Sequence, residues 1–174
     1  FLDSIRKDQL SATREALLEA RHLPGWMYTS PEVYALEVER IFLRSWLCVG
    51  RVEEFANKGD YLATRIAGEP ILICRDQAGH LNGFNNLCRH RGVEVIRGAG
   101  QAEEFMCPYH GWLYGLDGKL IGAPHSKDVQ NFDFKNCQLP RIKVDSWGGY
   151  VFVNLDDNCQ DLAHYPVSYT HLRA

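Results

Sequence analysis

The chain has 174 residues, 45% hydrophobic and 24% charged, with a formal net charge of −3 at pH 7. It is long enough to bury a core of its own, too apolar for bulk disorder, and too acidic for a general nucleic-acid binder. No apolar run reaches the roughly 18 residues needed to cross a bilayer, and the N-terminal stretch lacks the apolar block of a signal peptide, so a cytoplasmic chain without membrane contact is expected.

Residues 3–21 carry Ile5, Leu10, Leu17 and Leu18 among charges and good helix formers, an irregular amphipathic pattern that predicts a helix. Leu23-Pro24-Gly25 separates it from a second helix that opens at TSPEVYALEVERIF. There Thr29 or Ser30 can cap, Pro31 suits the first turn, and Glu32 complements the positive helix end. Residues 1–44 thus read as an N-terminal helical extension. After Arg44 the pattern changes to short apolar runs at 46–50, 61–66, 71–74, 81–84, 112–114, 142–144 and 150–155, which predict strands. Turn residues part them at Ala67-Gly68-Glu69-Pro70, Gln77-Ala78-Gly79, Asp117-Gly118 and Gly148-Gly149. Strands so spaced, with no helices between them, predict a mainly β domain of antiparallel sheets over residues 45–157. Residues 158–166 lie beyond the last of these runs. The last eight residues, VSYTHLRA at 167–174, match one reading frame of a transposase adaptor used in sequencing libraries and read as a foreign scar.

Two segments carry chemistry: CRHRG at 88–92 and CPYHGW at 107–112, with overall spacing C-x-H-x16-C-x2-H. A lone cysteine or histidine is ordinarily a core or surface residue, but two parallel pairs, each turning at a glycine, point to a metal held by Cys88, His90, Cys107 and His110. The six cysteines could form disulfides, yet without an export signal metal ligation or free thiols are expected. A tetrahedral zinc site accepts two thiolates and two imidazoles. Familiar zinc fingers, however, pair like with like and place the histidines on a helix. One cysteine and one histidine from each of two loops suit a dinuclear centre, with the cysteines on one iron and the histidines on the other, as in Rieske ligation of a 2Fe–2S cluster.

The stretch NNLCRHRG with CPYHGWLYGLDGKL resembles the Rieske domain of ring-hydroxylating oxygenase α subunits, and of relatives that oxidise quaternary ammonium compounds. Arg91-Gly92 and Gly111-Trp112 follow the two histidines as in the oxygenase form of the motif. The likeness runs from LPGWMYTSPEVYALEVERIFLRSWLCVGR to IKVDSWGGYVFVNLDD, most of the chain. It implies a Rieske iron–sulfur fold of three sheets, with the cluster at the tip, Cys88, His90, Cys107 and His110 as ligands, and both histidines near the surface. The high-potential respiratory branch bridges its loops with a disulfide; Val93 and Tyr109 occupy those positions here. Trp112 stands where that branch has a serine donating to sulfur, while Tyr114 remains as a donor, so a low potential is implied.

The same resemblance implies a second domain with a mononuclear iron in a 2-His-1-carboxylate triad. Asp161 and His164 read instead as a solvated connection, so the chain is expected to be the electron-transfer part of an oxygenase α subunit, unable to turn over substrate alone. The implied partners are a reductase or ferredoxin donor and a homotrimeric assembly, in which the cluster serves the neighbouring subunit's iron through an acidic residue. The substrate would be aromatic or a quaternary ammonium compound. A stand-alone Rieske-type ferredoxin is the alternative, disfavoured by the helical extension; a structural zinc domain is a third. Cys48 and Cys74 read as core, Cys137 and Cys159 carry no clear role, and Arg89, Arg91, Arg97 and Lys119 form a candidate docking rim for an acidic partner.

Overall fold

The computed structural model describes residues 10–126 and 129–165. The adaptor-like stretch 167–174 and the end of the expected connection lie outside them. Two compact units part between Ile41 and Phe42.

In the first unit, α1 spans Pro31–Glu37 and continues as a π-helical turn over Val38–Phe42. Ser30, not Thr29, caps it, its hydroxyl accepting the Val33 N–H at 3.3 Å. The helix expected over 3–21 is not continuous. Among its described residues only Leu10 and Ser11 are helical, and the chain then runs through turns. Leu17 and Leu18 stand 92% and 98% exposed; helical stability in proteins comes mostly from burying an apolar face, and this segment buries none there.

The second unit is β-rich. Its strands are β1 (Leu47–Arg51), β2 (Asp60–Ile66), β3 (Glu69–Arg75), β4 (Leu81–Asn85), β5 (Gly98–Gln101), β6 (Glu104–Met106), β7 (Leu113–Gly115), β8 (Leu120–Gly122), β9 (Arg141–Trp147) and β10 (Tyr150–Asn154). The seven predicted runs are all present; β5, β6 and β8 are additional. Every pairing is antiparallel. Instead of three sheets there are two, one of seven strands in the order β1-β10-β9-β4-β3-β2-β5 and one of three, β6-β7-β8. The fusion runs through β9, which pairs by Arg141 and Ile142 with β4 and by Lys143–Trp147 with β10.

β3 is an inner strand and its two faces serve different cores. Ile71 and Ile73 pack with Phe55, Val151 and Val153. Leu72 and Cys74 point the other way, into a core shared with Phe84, Phe105, Tyr114, Leu116 and Leu120. This second core joins the two sheets. The β7–β8 turn is pinned to the large sheet at four points. The Cys74 Sγ lies 3.3 Å from the Leu116 carbonyl, the Leu139 N–H donates to Gly118 O at 2.8 Å, and Arg141 donates to Asp117 O at 3.0 Å. Gly118, at φ +81°, lies so close to Phe84 that a Cβ there would come within 2.8 Å of ring atom Cζ.

Candidate metal centre

The first Cys/His loop leaves the end of β4 in the large sheet; the second joins β6 to β7 in the small one. Both have one backbone frame. The Cys88 N–H donates to Val93 O and the Gly92 N–H to Cys88 O, each at 2.8 Å; the Cys107 N–H donates to Trp112 O at 2.8 Å and the Gly111 N–H to Cys107 O at 3.0 Å. Each loop turns its corner at a left-handed glycine, Gly92 at φ +70° and Gly111 at +69°, a conformation that costs an L side chain about 1–2 kcal/mol.

The loops bring like to like. Cys88 and Cys107 are 3% and 2% exposed, in the core between the sheets. His90 and His110 are exposed, with ring centroids 4.6 Å apart. Burial, and the Cys88 thiol beside it, push the Cys107 thiol above its ordinary value. Loss of hydration, then His90 and Arg91, hold the His110 imidazole below its own, toward the neutral form that ligates metals. Among the described residues no three His, Cys, Asp or Glu side chains are arranged to hold one metal ion. Two thiols packed together and two imidazoles packed together are a donor set for a two-metal centre with unlike ends, so these residues fit a 2Fe–2S group.

Tyr114 crosses from β7 to the first loop. Its hydroxyl accepts the Arg89 N–H at 3.0 Å and lies 3.2 Å from Cys88 Sγ. With one lone pair taken by Arg89, its own hydrogen is free for the sulfur. Burial and the neighbouring Cys88 hold the phenol well above its ordinary value, so it stays a donor. Trp112 is buried and lies parallel to His90, while Tyr109 tilts against His110.

One supporting residue was invisible in the motif. Asn86, 2% exposed, accepts the N–H groups of Val95 and Ile96 on Oδ1, at 3.2 and 3.3 Å, and donates to Ile96 O at 2.7 Å. It clamps the base of the first loop; a polar pair, Asn85-Asn86, ending an apolar strand just before Cys88 was its signal. The docking rim is smaller than expected. Arg97 is held by Glu94 at 2.9 Å and Lys119 by Asp117 at 2.7 Å. Arg89 and Arg91 remain exposed at the histidine end with no ion pair among the described residues. Cys74 is fully buried as expected, but Cys48 is exposed: β1 lies at a sheet edge, where one side of the strand is unpaired. Asp161 and His164 are exposed beside a single 3-10 turn. Among the described residues no helix is long and apolar enough to cross a membrane.

The profile of the Rieske 2Fe-2S domain matches residues 45–133. The chain is 40% identical over 136 residues to the carnitine monooxygenase oxygenase subunit of Acinetobacter pittii, covering 78% of this chain and 37% of that protein. It is 34% identical over 165 residues to the benzene 1,2-dioxygenase subunit alpha of Pseudomonas putida, covering 92% and 37%. Its fold matches the crystal structure of naphthalene 1,2-dioxygenase from Rhodococcus sp. with a TM-score of 0.83 and 32% identity, over 92% of this chain and 37% of that one. The chain thus spans a little over a third of the length of these relatives. With the two-loop site seated between its sheets, it belongs to the Rieske 2Fe–2S domain family, in the form found in oxygenase α subunits.

Proposed function

We propose that Cys88 and Cys107 hold one iron of a 2Fe–2S cluster, that His90 and His110 hold the other, and that the chain is the electron-transfer part of an oxygenase α subunit. The observation that carries this is the sorting of the donors: thiol beside thiol in the core, imidazole beside imidazole at the surface, from two loops of one shape. A bound cluster of this kind supplies one-electron redox chemistry at a potential set by its ligands and its surroundings. The chain's own residues do the rest. The buried cysteines keep water from the sulfur end, Tyr114 holds its proton toward Cys88 Sγ, and the exposed imidazoles put the other end within reach of a partner. Arg89 and Arg91 beside them attract an acidic donor, a reductase or ferredoxin.

In this reading residues 45–157 are the Rieske domain, 1–44 an extension, 158–166 the start of a connection and 167–174 an adaptor remnant. A mononuclear iron held outside this chain would supply the dioxygen chemistry, the assembly would be a homotrimer, and the enzyme would be cytoplasmic. The higher identity to a carnitine monooxygenase subunit than to a benzene dioxygenase subunit favours a quaternary ammonium substrate over an aromatic one. The alternative, a stand-alone ferredoxin-like carrier, differs in needing no further domain.

Iron–sulfur loading under anaerobic conditions tests the assignment. The chain should bind about two irons and two sulfides with a midpoint in the lower third of the Rieske range, roughly −150 to +300 mV. Stoichiometric zinc without labile sulfide would sink the cluster reading. A midpoint above about +200 mV would place the chain with the respiratory branch.

A further inference from the structure

The two imidazoles leave loops of one shape but meet different surroundings. A histidine ring turns about a terminal torsion with broad, two-fold preference, so the loop backbone does not dictate the ring plane. For His90 a neighbour does. The indole of Trp112 lies parallel to it, 8° between planes and 4.9 Å between centroids. That indole is itself fixed. It is 8% exposed, belongs to the core that joins the sheets, and meets Phe132 edge-on at 5.7 Å; Phe132 meets Phe134 edge-on at 5.0 Å. Trp112 also supplies the carbonyl that closes the second loop on Cys107. One residue therefore completes the frame of one loop and covers the imidazole of the other.

Among the described residues His110 has no equivalent. Its aromatic neighbour besides His90 is Tyr109, tilted 37° to it and 54% exposed. Among the described residues Tyr109 has no aromatic backing of its own. A face covered by a buried ring cannot rotate without moving the core, whereas a face against an exposed ring can.

We infer that Trp112 is the positioning residue of this centre: it fixes the plane of the His90 imidazole and keeps water from one face, so that the two ligand rings are held unequally. The inference rests on the ligand assignment above and adds a residue that touches no reacting atom. It carries a sign for the potential. With two thiolates and two neutral imidazoles the oxidised centre is electrically neutral, and reduction adds a negative charge. Covering the ring disfavours that charge, so uncovering it should raise the potential.

The test compares the full chain with Trp112→Phe, Trp112→Leu and Phe132→Leu. Nuclear magnetic relaxation of the histidine rings in the unloaded chain should show His90 more ordered than His110. Order at His90 should be lost in Trp112→Leu, kept in Trp112→Phe and reduced in Phe132→Leu, with His110 unchanged. In the loaded chain the midpoint should rise in Trp112→Leu and return toward the parent in Trp112→Phe, a rescue that loss of stability alone does not produce. Equally mobile rings in the parent, or an unmoved His90 and midpoint in Trp112→Leu, overturn the proposal. If Trp112→Leu does not fold, Phe132→Leu decides by the same two readouts, because it leaves the indole and removes its backing. A parent that takes up no iron and sulfide overturns the ligand assignment instead, and ring order in the unloaded chain still decides the role of Trp112.

Discussion

The two Cys/His loops have matching backbone hydrogen bonds and matching left-handed glycines, but they stand on unequal foundations. The first follows β4, an inner strand of the seven-stranded sheet, and is clamped by Asn86. Glu94 just beyond it is paired with both Arg65 and Arg97. The second rises from strands of three residues each, short against a usual strand length of about 5–6. What holds it is its far end, the turn from Leu116 to Gly118 seated on Cys74, Phe84, Leu139 and Arg141. Loop shape is thus a local property, while the distance between loops is set by Tyr114 and Trp112 bridging them and also by contacts remote from either. Residues far from the ligands should matter, and should matter differently for the two loops.

The largest effect ignores that difference. Cys88→Ala or Cys107→Ala should each abolish bound iron and sulfide, read by metal and sulfide analysis after loading; a variant that keeps both would remove its cysteine from the ligand set. Next comes Gly118→Ala, which crowds Phe84 and places an L side chain at φ +81°. Overpacking of this kind costs about 1–3 kcal/mol, with the left-handed conformation adding about 1–2. Urea denaturation should show the loss, and amide exchange in the unloaded chain should quicken at Gly111 more than at Gly92. Gly79→Ala, at φ +91° with nothing within 4 Å of its added Cβ, isolates the conformational part and should cost less.

Asn86→Ala sharpens the comparison from the other side. It removes three side-chain hydrogen bonds, from the Val95 and Ile96 N–H groups and to the Ile96 carbonyl, while Val95 keeps its 3.3 Å bond to the Asn86 backbone carbonyl. At about 0.5–1.5 kcal/mol each, their loss should quicken exchange at Gly92 more than at Gly111. Equal effects on the two glycines in both variants would show that the loops share one foundation. The smallest effect lies in the β3–β4 turn. Burial tends to raise the Asp76 carboxyl, but the His80 N–H at 2.8 Å and the Asn82 amide at 3.0 Å hold it below its ordinary value. Its stabilisation is full above the unfolded-chain pKa, near 4, and fades as pH falls through the lower folded value. Asp76→Asn should flatten the acid limb of a stability–pH profile, and an unchanged limb would count against the turn's contribution.

The sequence announced the ligand motif and the strands whose apolar runs end in turn residues. It hid β5, whose residues GAGQ are all exposed and which exists because β2 pairs with it from Asp60 to Ala63. β6 and β8 each bury one large side chain, Phe105 and Leu120, too little for a periodic signal. Cys48 was misread because an apolar run does not tell an edge strand from an inner one. The seat of the second loop was hidden for a different reason. Arg141 reaches Asn82 across 59 positions and Asp117 across 24, and no local pattern encodes a partner that distant.

Cys74 bears on durability in a protein whose relatives handle dioxygen. It lies in the same core as the two candidate ligands, where a third thiolate would compete for iron or capture a neighbouring sulfur. Burial first, and then nearby Asp76, push its thiol up to about 12, and its sulfur is already engaged with the Leu116 carbonyl. Because the thiolate, not the thiol, is what ligates, oxidises and exchanges, Cys74 is chemically silent at neutral pH. Oxidants and alkylating reagents should meet exposed Cys48 long before it. The second core can therefore bury three cysteine sulfurs, with partly buried Cys137 packed against it, while offering only Cys88 and Cys107 of the three to chemistry.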